Sequence, residues 1–409
     1  MSSASTDPDV VSVGAGLSCL RAAIAVADAG RRPLVVERSD GVGGRVRTDE
    51  VDGHLLDRGF QVLLTAYPEL ITDGLEICPF APGARVRIGS ATHTVGDPFR
   101  RITDLPATAV APVGSLFDKL QILRLRSSVR RGTIEELLSA DDDVAAIDHL
   151  RAVGFSSKMI ERFLRPLFGG ITLEPDLLGS ARVLRFVFRM LSEGDAAVPA
   201  GGMGRLADAL VTRLGDRGDI ELGAEVSEVG DRGVVVDGRS IAAGSVIVAT
   251  GATEAAELVG THDRGWNRTT TWWFGCDESP EPGGYLVLDG GRSGPVNQLA
   301  VLSDVSSTYA PEGRCTVAAV GIGRAGDAGE AEVRRQLAEW YGPQVDDWAL
   351  LRTDDIERAQ PKQPPGWDAS GPRAVDGVIV TGDHCRDSSL DGALATGRIA
   401  GEIASATLA

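Results

Sequence analysis

VVSVGAGLSCLRAAIAVADAGRRPLVVERSDGVGGR, residues Val10 to Arg45, decides the fold. Val10 to Val13 are mostly β-branched and read as a strand. Gly14-Ala15-Gly16 reads as a tight turn. Leu17, Leu20, Ile24 and Ala27 recur at helical spacing until Gly30 stops the helix, and Leu34 to Glu37 form a second strand. The result is a βαβ unit that can place a pyrophosphate on a helix N-terminus, where unpaired amides and the helix dipole favour negative charge. Gly14 permits the turn and Gly16 lets backbone approach phosphate. Glu37, 23 residues after Gly14, ends the second strand where it can accept hydrogen bonds from an adenosine ribose. Ala15, Ser18 and Arg38 complete this candidate contact set.

The third glycine of the G-x-G-x-x-G pattern is replaced by Cys19. That position serves close packing, and cysteine behaves there as a small apolar residue. On its own the motif is equally compatible with a βαβ unit that binds no nucleotide. Gly43-Gly44-Arg45, just beyond Glu37, adds a second glycine pair and an arginine. This combination resembles flavoproteins of the flavin amine oxidase and phytoene desaturase superfamily, which implies bound FAD.

Composition bounds the alternatives. With 409 residues, 43% apolar and 24% charged, the chain suits a globular protein of two or three domains. A net charge of −17 argues against a nucleic-acid backbone or an anionic membrane as a partner, since both would repel this surface. Only Lys119, Lys158 and Lys362 are lysines, a bias that suits a high-salt or GC-rich source. Cys19, Cys78, Cys276, Cys315 and Cys385 show no C-x-x-C pair, so no zinc or dithiol spacing is present and no metal is expected. The apolar run from Val10 to Ala27 follows Asp7 and Asp9 rather than a basic segment, unlike a signal peptide. No run reaches the length of a membrane span, and a cytoplasmic protein is expected.

Farther along, Asp57 to Leu63 resembles the superfamily segment that passes the flavin ring, which implies Gly59, Phe60 and Gln61 as cofactor contacts; the plain alternative is a turn. From Gly114 to Leu191 apolar residues recur at helical spacing and predict a helical insertion. Phe163 to Gly170 within it resembles a segment that walls the substrate cavity in phytoene-desaturase-like proteins, or is a helix stopped by its glycines. Pro199 to Met203 resembles the junction where superfamily chains return to the cofactor domain. Short strands follow, with an Asp237-Gly238 hairpin turn. The resemblance implies an adenine contact at Val226, and Val246 to Gly251, with Ala249, resembles the second flavoprotein signature.

Strand-like stretches from Thr269 to Val320 and a helix at Ala331 to Tyr341 predict a sheet with a helix packed on it. Period two puts Trp272 and Trp273 on opposite faces, so one can look into a cavity while sheet packing of both is the alternative. Gln360 to Gly366 reads as an extended return linker carrying Lys362, the lysine expected to reach the cavity. Val378 to Asp383 ends a strand in Gly-Asp and Leu390-Asp391-Gly392-Ala393 starts a helix. These resemble the superfamily's C-terminal flavin motif, which implies Gly382, Asp383, Leu390, Gly392 and Ala393 as cofactor contacts.

The expected fold is α/β: a discontinuous Rossmann-like FAD-binding domain of the glutathione-reductase-like, amine oxidase type with an α+β substrate domain. The cofactor domain is expected at 8–75, 199–262 and 366–409, and the substrate domain at 76–198 and 263–365. The expected function is oxidation of a C–H bond in a small, apolar molecule by non-covalently bound FAD. No side chain stands out as a catalytic acid or base, and the electron acceptor, quinone or oxygen, stays open. An oxygen-using amine oxidase and a flavin-binding protein without redox turnover are the alternatives.

Overall fold

A computed structural model describes residues 7–96, 111–139 and 142–408. Its first sheet orders strands Asp219–Leu222, Pro33–Glu37, Val10–Val13, Ser245–Val248, Val378–Val380 and Arg373–Val375. The first five run parallel and the last is antiparallel. Side chains alternate across it. Val11, Val13, Val36, Val246 and Val248 pack beneath a three-stranded meander that carries Val234 and Val236. Val10, Val35, Ile247 and Ile379 face the other way, toward the helices Leu17–Asp28 and Leu390–Ala406. Cover on both faces explains why these strands are near-continuous apolar runs.

The two helices touch almost backbone to backbone. A Cβ on Gly397 would overlap the Ser18 carbonyl oxygen, and one on Gly401 that of Ala22. Cys19 is fully buried among apolar neighbours. The close approach that a third glycine would have given the first helix is thus supplied by glycines of the last.

The second sheet has seven strands in the order Ala349–Pro361, Trp266–Cys276, Cys315–Ile322, Gln298–Val301, Leu286–Asp289, Gly83–Ile88 and Ala91–Gly96. Helix Glu330–Tyr341 packs on one face through Val333, Leu337 and Trp340. The 83–96 hairpin, which precedes the expected helical insertion, enters this sheet by parallel pairing with Leu286–Asp289. Among the described residues that follow the hairpin, helices Leu116–Val129, Ala146–Val153, Arg165–Thr172 and Ala181–Glu193 are the longest elements up to residue 198. The Arg165–Thr172 helix runs through Gly169 and Gly170 rather than stopping there. Gly170 instead clears room for the Gln298 side chain. Among the described residues, no helix is long and apolar enough to cross a membrane.

Candidate active site

The turn Gly14–Gly16 forms one end of a long cavity. Gly14 sits at φ 99°, a left-handed conformation that favours glycine, and its amide donates to the Val36 carbonyl at 2.8 Å. The following helix has no side-chain cap and no acid in its first turn. Its leading amides and dipole are therefore left to the groove. The Gly43 amide donates to the Ala15 carbonyl at 2.8 Å, and a Cβ on Gly44 would lie 3.3 Å from Gly16 Cα, so the two glycine loops are stacked. Glu37 accepts from the Ala15 amide at 2.7 Å through one oxygen and from the Ser39 amide at 2.8 Å through the other. Arg38, Val226 and Ala249 line this end, and Ser18 lines the groove with its hydroxyl 3.2 Å from that of Thr381.

Farther along the groove, Arg45 meets Asp383 at 2.7 Å, donates to the Ala359 carbonyl and lies over the Trp266 ring at 5.4 Å. Gly382 precedes that aspartate at φ 149°. Gly59, at φ 81°, has the Ile356 side chain where a Cβ would be, and the Phe60 amide donates to Thr271 Oγ1 at 3.1 Å. Gln61 donates to the Arg45 carbonyl at 2.8 Å. Ser389 caps the last helix by accepting from the Gly392 amide, and Leu390 and Ala393 line the groove. Gly392 is not among the residues that line it, and a Cβ there would overlap the Asp387 carbonyl oxygen, so close packing requires a glycine at this position.

The cavity continues from this groove between the second sheet and the helical region, with a volume of about 1510 Å³. Pockets for single drug-sized ligands span roughly 300–1,000 Å³, so the space admits a dinucleotide and a substrate together. Met159, Phe163, Leu167, Phe186, Phe188 and Leu191 give the inner part an apolar wall.

Trp272 and Trp273 are not part of that wall. They do point to opposite faces, but each face is packed: Trp272 joins the core beneath helix Glu330–Tyr341, and Trp273 is buried in the main core with its indole nitrogen donating to Asp354 at 2.8 Å. Trp266, earlier on the same strand, lines the cavity. Lys362 is exposed and does not line the cavity, while its neighbours Pro361 and Gln363 are buried. Lys119 lines it in its place.

Spacing alone did not reveal Asp387. It lines the cavity, is fully buried and lies 3.6 Å from Arg386 through an oxygen with no hydrogen-bond partner, while Ser389 donates to the other. Burial raises its pKa above the usual carboxylate range. Asp391 lies behind it, accepting from the Glu69 amide; burial and then the charge of Asp387 push it up to about 7. The ring nitrogens of His384 have no partner, and burial pushes that group down to about 4, leaving it neutral.

A glycine-stacked turn, an uncapped helix start, an acidic residue at the neighbouring strand end and a second helix start at the far end fit a flavin dinucleotide. Residues 15–403 match the family model for flavin containing amine oxidoreductases. The chain belongs to this family. As a flavin-containing amine oxidoreductase it is an oxidoreductase with a flavin cofactor. It is 28% identical to a phytoene dehydrogenase of Streptomyces griseus across 61% of this chain and 56% of that protein, so the match spans little more than half of that relative. It is 26% identical to a coproporphyrinogen III oxidase of Propionibacterium freudenreichii subsp. freudenreichii across 94% and 91%. Cyclohexylamine oxidase from Brevibacterium oxydans shares the fold, with a TM-score of 0.73 and 20% identity over 98% of this chain and 100% of that one.

Proposed function

We propose that this protein binds FAD non-covalently and oxidises a C–H bond of an apolar organic substrate, as a desaturase or dehydrogenase. The observation that carries this reading is the continuity of the Glu37-to-Ala393 groove with the apolar wall around Phe163, Phe186 and Phe188. The likeness to a phytoene dehydrogenase supports it. FAD would lie with its adenosine ribose at Glu37, its pyrophosphate on the Gly14–Gly16 turn and the Leu17–Asp28 helix start, and its pyrimidine edge at the Leu390–Ala406 helix start. Bound flavin supplies a hydride acceptor. The chain's own work is to hold the substrate in an apolar enclosure, exclude water and, at the orphan oxygen of Asp387, hold a proton.

Non-covalent attachment is supported by Cys385. Its thiol is buried away from the cavity wall, points to the Val380 carbonyl and is pushed up to about 11 by burial. An aromatic cage for an amine is not supported, since Tyr67 is the only tyrosine in the wall among the described residues. The two-domain division follows the two sheets, with 8–75, 199–262 and 366–409 serving the cofactor.

The test is to purify the yellow protein, precipitate it with acid and then offer substrates anaerobically to fresh holoenzyme. Colour should stay in the supernatant after precipitation. Extended apolar alkenes should bleach the bound flavin while primary amines leave it oxidised. Bleaching by amines alone would overturn the substrate class.

A further inference from the structure

Helix Arg165–Thr172 lies over the second sheet and is pinned to it at both ends. The Asn297 side-chain amide donates to the Pro166 carbonyl at 2.9 Å, and that of Asn267 donates to the Thr172 carbonyl at 2.9 Å. Between these pins the helix presents Gly170, and Gln298 takes up the space that a side chain there would need. A Cβ on Gly170 would overlap Gln298 Oε1 and crowd its Cδ, so the oxygen arm of this amide rests on the helix backbone.

Gln298 is only 5% exposed and lines the cavity, yet its side-chain amide makes no hydrogen bond among the described residues. Polar neighbours in the same wall are spent. Thr269 donates to the Gly321 carbonyl at 2.9 Å, Thr172 to the Phe168 carbonyl at 2.8 Å, and Gln360 to the Ser388 carbonyl at 2.7 Å. An amide sheltered from water without a partner costs stability, and a few such groups in an apolar pocket are what orient a ligand.

Register locates the group. Gln298 pairs with Val320 and Val320 with Thr271, whose hydroxyl oxygen accepts the Phe60 amide. Directly opposed residues share a face of the sheet. Two strand spacings of about 4.8 Å put Gln298 roughly 10 Å across the cavity floor from Thr271, beyond the segment that resembles the one passing a flavin ring.

We propose that Gln298 is a specificity-determining residue whose amide N–H donates to a neutral oxygen, a carbonyl or hydroxyl, on the substrate. With Oε1 against Gly170, the nitrogen arm is the one left to a ligand, and it selects an acceptor. An amide carries no charge to balance a carboxylate, so the acceptor it suits is neutral. Resting on the apolar-substrate reading above, this narrows the class to apolar molecules with one oxygen function. A plain hydrocarbon of the same shape leaves the amide unpaired.

The experiment is equilibrium dialysis of the full-length holoenzyme against benzophenone and against 1,1-diphenylethylene, probes of one shape that differ in C=O against C=CH2. Gln298→Met keeps the length of the side chain and removes the amide. The ratio of the two dissociation constants should shift about tenfold toward the alkene in Gln298→Met, and as far in Gly170→Ala, whose Cβ claims the place of Oε1. The melting temperature of Gln298→Met should not fall, because an unpartnered buried amide has been removed, and the flavin should stay bound with an unchanged spectrum. A ratio indifferent to Gln298→Met would overturn the proposal. So would a lowered melting temperature, which makes Gln298 a structural residue, or a released or spectrally shifted flavin, which makes it a cofactor contact. Binding of neither probe would overturn the apolar-substrate reading along with the proposal, whereas binding of both with an unmoved ratio overturns the proposal alone.

Discussion

Arg45 and Asp383, 338 residues apart in the chain, form an ion pair of 2.7 Å across the cofactor groove. Asp383 is nearly buried and Arg45 is 41% exposed, so the pair is only partly screened by water. A charge-assisted hydrogen bond contributes about 1.5–3 kcal/mol when sheltered and less when solvent reaches it. Asp383→Ala is therefore expected to lower FAD affinity at least about tenfold and to lower the melting temperature. Arg45→Lys should fall between that variant and wild type, because lysine keeps the charge but loses the fork that also reaches Ala359. Flavin fluorescence titration of apoprotein, paired with thermal unfolding, checks both effects.

Glu37 has a double duty. Its two oxygens already accept the Ala15 and Ser39 amides, and the remaining lone pairs are those an adenosine ribose would use. Glu37→Ala should thus reduce FAD affinity at least about tenfold and destabilise the apoprotein as well, since two amides lose their acceptors. Glu37→Gln should lose less of both. An equilibrium titration that found unchanged affinity in Glu37→Ala would show that the adenosine lies elsewhere.

The geometry of the glycine-stacked end of the groove was legible in sequence because its determinants are local. Gly14, Gly16, Glu37, Gly43 and Gly44 lie within a few turns of one another, and backbone geometry leaves those positions little chemical latitude. Trp272 and Trp273 were legible as opposite in direction, yet alternation along a strand does not say what covers either face; a helix 60 residues onward covers one of them. Asp387 was hidden for a similar reason, because only the assembled fold shows which oxygen lacks a partner and what lines a wall. Gly397 and Gly401 read simply as helix residues until the first helix is laid against them.

Asp57 makes stability depend on pH. Fully buried, it accepts from the Thr48 hydroxyl at 2.6 Å, the Met203 amide at 2.9 Å and the Tyr309 hydroxyl at 2.8 Å. Burial outweighs these donors and raises its pKa from the ordinary 3.8 to about 6. A folded-state pKa above the unfolded one means the fold binds the proton more tightly, so this contribution is complete below the lower value and is lost as pH rises through about 6. Two units correspond to about 3 kcal/mol. Denaturant unfolding of wild type and Asp57→Asn at several pH values should show a loss of stability between pH 4 and 6 that is larger in the wild type, the remainder belonging to other raised carboxyls such as Asp391.

Gly397→Ala pits helix propensity against space. Alanine favours a helix interior by up to about 1 kcal/mol over glycine. Here the new Cβ would overlap the Ser18 carbonyl oxygen, which is backbone and cannot turn aside. Overpacking of a close helix contact costs about 1–3 kcal/mol, so the substitution should destabilise despite its propensity gain. A lowered unfolding midpoint with an unchanged denaturant slope is the expected result.

Oxygen should be a poor electron acceptor for this protein. A lysine beside the reactive edge of a flavin can stabilise the superoxide-like state formed as oxygen takes electrons. Lys362 cannot do so, because its side chain is exposed outside the cavity. Lys119 lines the cavity, but it belongs to the helix whose Leu116 and Leu120 are exposed, and it is itself only partly buried, within reach of water. Screening there leaves little to offer a transition state at the far end of the groove. The bound flavin, reduced anaerobically and mixed with aerated buffer in a stopped-flow instrument, should regain its oxidised spectrum no faster than free reduced flavin. Lys119→Met should leave that rate unchanged. Fast reoxidation abolished by Lys119→Met would instead make Lys119 the oxygen-activating residue and return the protein to the oxidase class; a slow rate directs the search for its acceptor to quinones.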